Sequence, residues 1–153
     1  MLLKRFFCVL GNYLPPPFNK YFYFMAGVKF KINKVWIGNQ CYFDTVRPDL
    51  IKIEDDTCIS FRVIIITHFD PSKSIKNYDI KNYYKPVTIK CKSFIGPGSI
   101  LNPGVTVGEN CFVRSGSNLF KSIPDNSIVS QSSIEKIKPL TKKSLDIINK
   151  LNK

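Results

Sequence analysis

The chain has 153 residues, enough for one domain with a buried core. Apolar residues make up 44% of it, which excludes a disordered composition. Lys and Arg outnumber Asp and Glu 23 to 11, and the net charge of +12 favours anionic partners (nucleic acid, acidic lipid or a phosphorylated small molecule) without choosing among them. A nucleic-acid reading rests on charge alone and is set aside. The five cysteines, Cys8, Cys41, Cys58, Cys91 and Cys111, are odd in number and contain no C-x-x-C pair. Reduced thiols in a cytoplasmic protein are the simpler expectation. No apolar run reaches the ~18 residues of a membrane span.

Residues 1–26 set Phe6, Phe7, Tyr13, Phe18, Tyr21, Phe22, Tyr23 and Phe24 among Lys4, Arg5 and Lys20. Three prolines and Lys20 interrupt the stretch, and no small-residue cleavage site follows, so it does not read as a signal peptide. Two readings stay open. The segment caps the first strands of the domain next to it, whose bare edges invite pairing, or it lies on an anionic membrane surface. The cap is the preferred reading, and both can hold at once.

Residues 27–130 read as one domain with a six-residue period. A fragment, IGNQCYF, starts at Ile37, and a rough copy sets Ile53, Ile59 and Ile65 in phase. From residue 89 the run IKCKSF IGPGSI LNPGVT VGENCF VRSGSN LF places Ile89, Ile95, Leu101, Val107, Val113 and Leu119 six apart without a break. Four residues after each of the first five stands something small or β-branched: Ser93, Ser99, Val105, Cys111 and Ser117. At ~3.6 residues per turn a period of six scatters aliphatics around a helix. On strands it keeps them on one face. Asn, Pro, Gly and Asp add a turn to each unit. The solution is a coil of very short strands joined by tight corners, with its aliphatics stacked inward.

Ile65 is the last aliphatic in phase before the pattern stops, and His68, the only histidine, follows it in ITHFDP at a corner. Pro71, Asn77 and Tyr83 then fall where core residues would be, so residues 70–85 read as a loop leaving the coil. Histidine suits proton transfer near neutrality, with an unperturbed pKa of ~6.5. Asp70 or a backbone carbonyl would orient its ring. In residues 131–153, Leu145, Ile148 and Leu151 have helical spacing, which predicts a short amphipathic helix.

The repeats, the Thr67-His68 pair before the loop and the Lys85-Pro86-Val87 return resemble the hexapeptide-repeat acyltransferases, above all the sugar and polysaccharide O-acetyltransferases. The resemblance covers roughly residues 27–130. It implies an all-β fold: a left-handed parallel β-helix with a protruding loop, an N-terminal capping segment and a short C-terminal helix. The hand departs from the usual right-handed crossover and is implied by the resemblance alone. The implied activity is acetyl-coenzyme A-dependent O-acetylation of a sugar or surface-polysaccharide hydroxyl by a cytoplasmic homotrimer with sites between subunits. N-acetylation of a nucleotide-linked amino sugar and a non-catalytic scaffold are the alternatives. Peripheral membrane contact would place the protein at the inner face.

By the same resemblance His68 is the general base. Gly98 and Ser99 in IGPGS, with Gly116 and Ser117 in RSGSN, line the coenzyme A groove. Lys121 in LFKSIP meets the nucleotide phosphate or is solvated surface. Asp44 stands where relatives hold the acceptor, and Tyr83 and Tyr84 stack on a sugar ring or pin the loop. No bound cofactor or metal is implied, since one histidine cannot supply the three-histidine zinc site of related β-helices. The sequence departs from the family at Lys90, at Phe94 and most at QSSIEK, residues 131–136, which replaces a G-N-P-A-K motif that helps bind the donor.

Overall fold

A computed structural model describes residues 2–70, 83–129 and 137–139. From residue 35 to 129 the chain winds as a parallel coil with three faces. The first face stacks β1 (Val35–Ile37), β4 (Thr57–Ile59), β9 (Phe94–Ile95), β12 (Phe112–Val113) and β14 (Ser127–Val129). The second stacks β2 (Tyr42–Phe43), β5 (Ile64–Ile65), β10 (Ile100–Leu101) and β13 (Asn118–Leu119). The third stacks β3 (Ile51–Ile53), β8 (Val87–Ile89) and β11 (Thr106–Val107).

Every inward residue rests on its counterpart in the next coil. Ile37, Ile59, Ile95, Val113 and Val129 form one column. Phe43, Ile65, Leu101 and Leu119 form the second, and Ile53, Ile89 and Val107 the third. All of these side chains are buried, each worth about 1.5–3 kcal/mol of transfer free energy. The small fourth positions, Ser93, Ser99, Val105, Cys111 and Ser117, are buried as well. Ser93 shows why they are small: its Oγ donates to the Gly108 carbonyl at 2.7 Å and accepts from the Cys111 amide at 3.0 Å, inside the corner.

The corners are left-handed backbone. Gln40, Arg62, Gly98 and Gly116 have positive φ between the first and second faces, and Asp56, Lys92, Asn110 and Asn126 between the third and first. Asn and Asp tolerate that region better than other side chains do, which accounts for three of the eight. Gly96 and Gly108 meet a different demand. A Cβ on Gly108 would lie 2.5 Å from the Asp125 amide nitrogen, and one on Gly96 would lie 2.6 Å from that of Ser115.

Residues 1–26, expected as part of an all-β protein, contain two helices, α1 (Leu2–Tyr13) and α2 (Phe18–Ala26). Both pack on the first coil. The Tyr23 ring stacks on Phe43 at 4.1 Å, and its hydroxyl donates to the Cys41 carbonyl at 2.9 Å. Asn19 donates to the Gly38 carbonyl at 2.9 Å, and the Asn12 side-chain oxygen accepts from the Phe43 amide at 2.9 Å. Backbone groups with no coil beneath them thus find side-chain partners.

At the other end β15 (Ile137–Pro139) runs antiparallel to β14. It is the described part of the tail expected to be helical. The helix expected around Leu145, Ile148 and Leu151 lies outside the described residues.

The close approach at Gly108 yields a measurable cost. Gly108→Ala is expected to lower the unfolding free energy by about 1–3 kcal/mol through backbone displacement. Ser115→Ala, exposed at a different corner, is expected to stay within about 0.5 kcal/mol. Chemical denaturation of the two variants beside the parent chain checks this.

Candidate active site

Two insertions interrupt the six-residue rhythm, in adjacent coils. Phe43 pairs with Ile65, 22 residues on, and Ile65 with Leu101, 36 residues on, whereas Leu101 and Leu119 are 18 apart. Both insertions fall at the corner between the second and third faces. In the first coil the extra residues form a short 3-10 turn, Pro48–Leu50. In the second the insertion opens and closes on a two-stranded antiparallel ribbon of β6 (His68–Phe69) and β7 (Tyr83–Tyr84), where the sequence predicts the base of a loop. The Lys85 amide donates to the Thr67 carbonyl at 2.9 Å, which brings the Lys-Pro-Val return against Thr67-His68. Residues 71–82 lie outside the described residues.

Asp44 directly precedes the first insertion and His68 opens the second. Register places them side by side, since Phe43 pairs with Ile65. The Asp44 carboxylate is fully buried, and its Oδ2 lies 2.6 Å from His68 Nδ1. The same oxygen accepts from the Thr67 amide at 2.7 Å and from the Thr67 hydroxyl at 2.8 Å, and Oδ1 accepts from the Val46 amide at 2.8 Å. Burial pushes this carboxyl upward. The bonds from His68, from the two amides and from the Thr67 hydroxyl outweigh it, so the group stays below the ordinary carboxylate range.

The pairing assigns the proton to Nδ1 and leaves Nε2 as the free lone pair of the neutral ring. The His68 side chain is 28% exposed, enough for a reactant to reach it. Its ring lies 6.3 Å from Tyr84 at an interplanar angle of 24°. The Arg47 guanidinium sits 5.9 Å from the Tyr84 ring centre and is itself clamped by both oxygens of Asp49.

The Asp44 carboxylate is out of solvent and occupied by four hydrogen bonds. It takes the orienting role that the sequence left to Asp70 or a carbonyl. Ser99 and Ser117 keep their hydroxyls inside the coil. Both are buried small residues whose Oγ atoms donate to the Arg114 carbonyl, at 3.1 and 2.7 Å.

Gly98 and Gly116 stand at the corner between the first and second faces, with φ of +67° and +70° and open space where a Cβ would point. Lys121 is exposed at the His68 corner, past β13. One chain therefore puts His68, Tyr83, Tyr84 and Lys121 at one corner and Gly98 and Gly116 at another. Tyr83 and Tyr84 are both exposed, and Tyr83 stacks on Phe69 at 5.3 Å.

Sequence reasoning missed Arg47, and it missed Gly104, at φ +90°, whose missing side chain leaves room for the Lys85 stem 3.0 Å away. Counting register from CYFD to IIITH would have found the Asp44 pairing. A cleft of about 640 Å³ between Lys29, Lys52, Asp56 and Lys92 is at a different corner from His68. Among the described residues no three His, Cys, Asp or Glu side chains gather as metal ligands.

Comparison with known proteins agrees with this geometry. Residues 86–121 match the model of the bacterial transferase hexapeptide (six repeats). The chain is 37% identical over 122 residues to Protein CapG of Staphylococcus aureus, covering 72% of this chain and 70% of that one. It is 28% identical over 130 residues to a galactoside O-acetyltransferase of Escherichia coli, covering 83% of this chain but only 61% of that protein's length. Among solved structures, a maltose O-acetyltransferase from Clostridium difficile superposes with a TM-score of 0.61 at 20% identity, covering 88% of this chain and 81% of that one. That likeness shows the fold, the left-handed parallel β-helix. The chain belongs to the hexapeptide-repeat transferase family.

The Asp44 shift has a consequence for stability. Its folded pKa lies below its unfolded one, so its contribution is present above the ordinary carboxylate value of ~3.9 and disappears as pH falls through the lower folded value. Asp44→Asn is expected to lose about 2 kcal/mol near neutrality, as a charged hydrogen-bond acceptor goes. The gap to the parent chain is expected to close below that value, as read by denaturant unfolding across an acid pH series.

Proposed function

We propose that this chain is an acetyl-coenzyme A-dependent O-acetyltransferase acting on a sugar or surface-polysaccharide hydroxyl, with His68 as general base. The observation that carries the reading is the 2.6 Å contact between His68 Nδ1 and a buried Asp44 carboxylate at a loop-bearing corner. A fully buried carboxylate is costly unless it is paired. Here it fixes one tautomer of a histidine whose side chain stays 28% exposed. Its relatives' names, galactoside and maltose O-acetyltransferase, agree with the reading.

In the proposed reaction Nε2 of His68 takes the proton of the acceptor hydroxyl as that oxygen attacks the thioester carbonyl. The tetrahedral intermediate collapses, the carbon–sulfur bond breaks, and the imidazolium returns its proton to the departing thiolate. An acetyl ester and free coenzyme A result. Asp44 stabilises the imidazolium between the two transfers and is a positioning residue.

A homotrimer is part of the proposal, and two features support it. The outward positions of the first face, Trp36, Cys58, Phe94, Phe112 and Ile128, are apolar from end to end. A solvent-facing side of a half-exposed sheet normally alternates to polar. The open glycine corner and the His68 corner are also separate within one chain, so a neighbouring copy can bring the first beside the second.

Titration calorimetry with acetyl-coenzyme A tests the reading, on the parent chain and on His68→Ala. Saturable binding is expected in both. With an accepted sugar, turnover by the variant is expected to fall by about 10²–10⁴-fold. Absence of saturable donor binding in the parent chain overturns the proposal.

A further inference from the structure

The helical hairpin of residues 2–26 turns one side to the coil and leaves the other unpartnered. On α1, Leu2, Phe6, Val9 and Tyr13 recur at intervals of four, three and four residues, which lines them along one face. They are 85, 57, 41 and 85% exposed. On α2, Phe18, Tyr21 and Met25 repeat the pattern at 60, 47 and 51% exposed. Cys8, Gly11, Asn19, Tyr23 and Ala26 form the buried sides. Such a stripe is a binding surface, not scattered exposure. Among the described residues no helix is long and apolar enough to cross a membrane.

Charge identifies the occupant. No Asp or Glu precedes Asp44 in the sequence, and Asp44 is buried on His68. The hairpin carries Lys4, Arg5 and Lys20, and the acid beside Lys4, Asp49, is already clamped by Arg47. The hairpin is therefore basic, with no acid on it. A second copy docked face to face would oppose like charges with no acid to meet them. An apolar layer under anionic headgroups complements both features.

We propose that the α1–α2 hairpin seats the protein on an anionic membrane surface, with the stripe at the boundary of headgroups and acyl chains. The hairpin also touches the site: Cys8 Sγ lies 3.3 Å from the Phe43 carbonyl and 3.6 Å from that of Asp44, so α1 packs behind the dyad. The inference stands independently of acyl transfer.

Flotation of the full chain with phosphatidylcholine vesicles, with and without phosphatidylglycerol, at low and high salt, tests it beside a Phe6→Ser, Val9→Ser double variant. Both substituted residues are exposed, so circular dichroism and the mass in solution are expected to stay unchanged. Partition onto the anionic vesicles is expected to exceed that onto neutral ones by about tenfold or more and to fall with salt. The variant is expected to bind roughly tenfold more weakly or less. Equal binding by variant and parent, or no preference for the anionic vesicles, overturns the proposal. A changed mass in the variant overturns it too, by assigning the stripe to a contact between copies.

Discussion

Register between coils is the constraint on which the rest of this molecule depends. Each inward side chain is covered by its counterpart one coil on, so the core is a set of columns only one residue wide. Such a core cannot absorb an added residue on a face, because a shift by one turns every later side chain outward. Extra residues are tolerated only at corners. The chain inserts them at the same corner in two successive coils, and there it places Asp44, Arg47, His68 and Tyr84. The regular part of the protein holds the fold, and its two insertions hold the chemistry.

The dyad shows how a buried charge is kept in such a scaffold. Burial alone would neutralise Asp44. Four donors converge on its two oxygens instead, two of them amides whose positions are set by coil backbone. The histidine therefore gains its orientation from a buried, fully bonded carboxylate, and its side chain stays 28% exposed. Cys8, packed behind Asp44, does not compete for the proton. Burial, then the Asp44 charge, push its thiol up to about 12, so it remains an S–H donor to the chain.

How much was legible depends on what each inference needed. The columns were legible because one period fixes them, and all the aliphatics it selected are buried. The placement of His68 at a corner was legible from the phase lost after Ile65. The partner of His68 was not, because it depends on register across CYFDTVRPDL, where four additional residues hide the period. Ser99 and Ser117 were legible as inward small residues from the repeat alone. The helices of residues 2–26 were missed because the aromatics were weighed as composition, although Leu2, Phe6, Val9 and Tyr13 already keep helical spacing.

Helices at this end answer a problem that parallel coils create for themselves. A coil in mid-stack gives its backbone donors and acceptors to the coils on either side, and the first coil has one side bare. Strands cannot fill that side without presenting a new edge. Helices can, since their own backbone bonds are internal and only side chains need to reach across. Asn12, Asn19 and Tyr23 do so, and their polar atoms meet first-coil amides and carbonyls. A helix used this way has a far side with no coil to meet, and its composition is free to serve another purpose. In α1 that side is apolar, while the near side rests against Phe43 and Asp44. One twelve-residue helix thus links the closed end of the coil, the floor of the dyad and an exposed apolar surface.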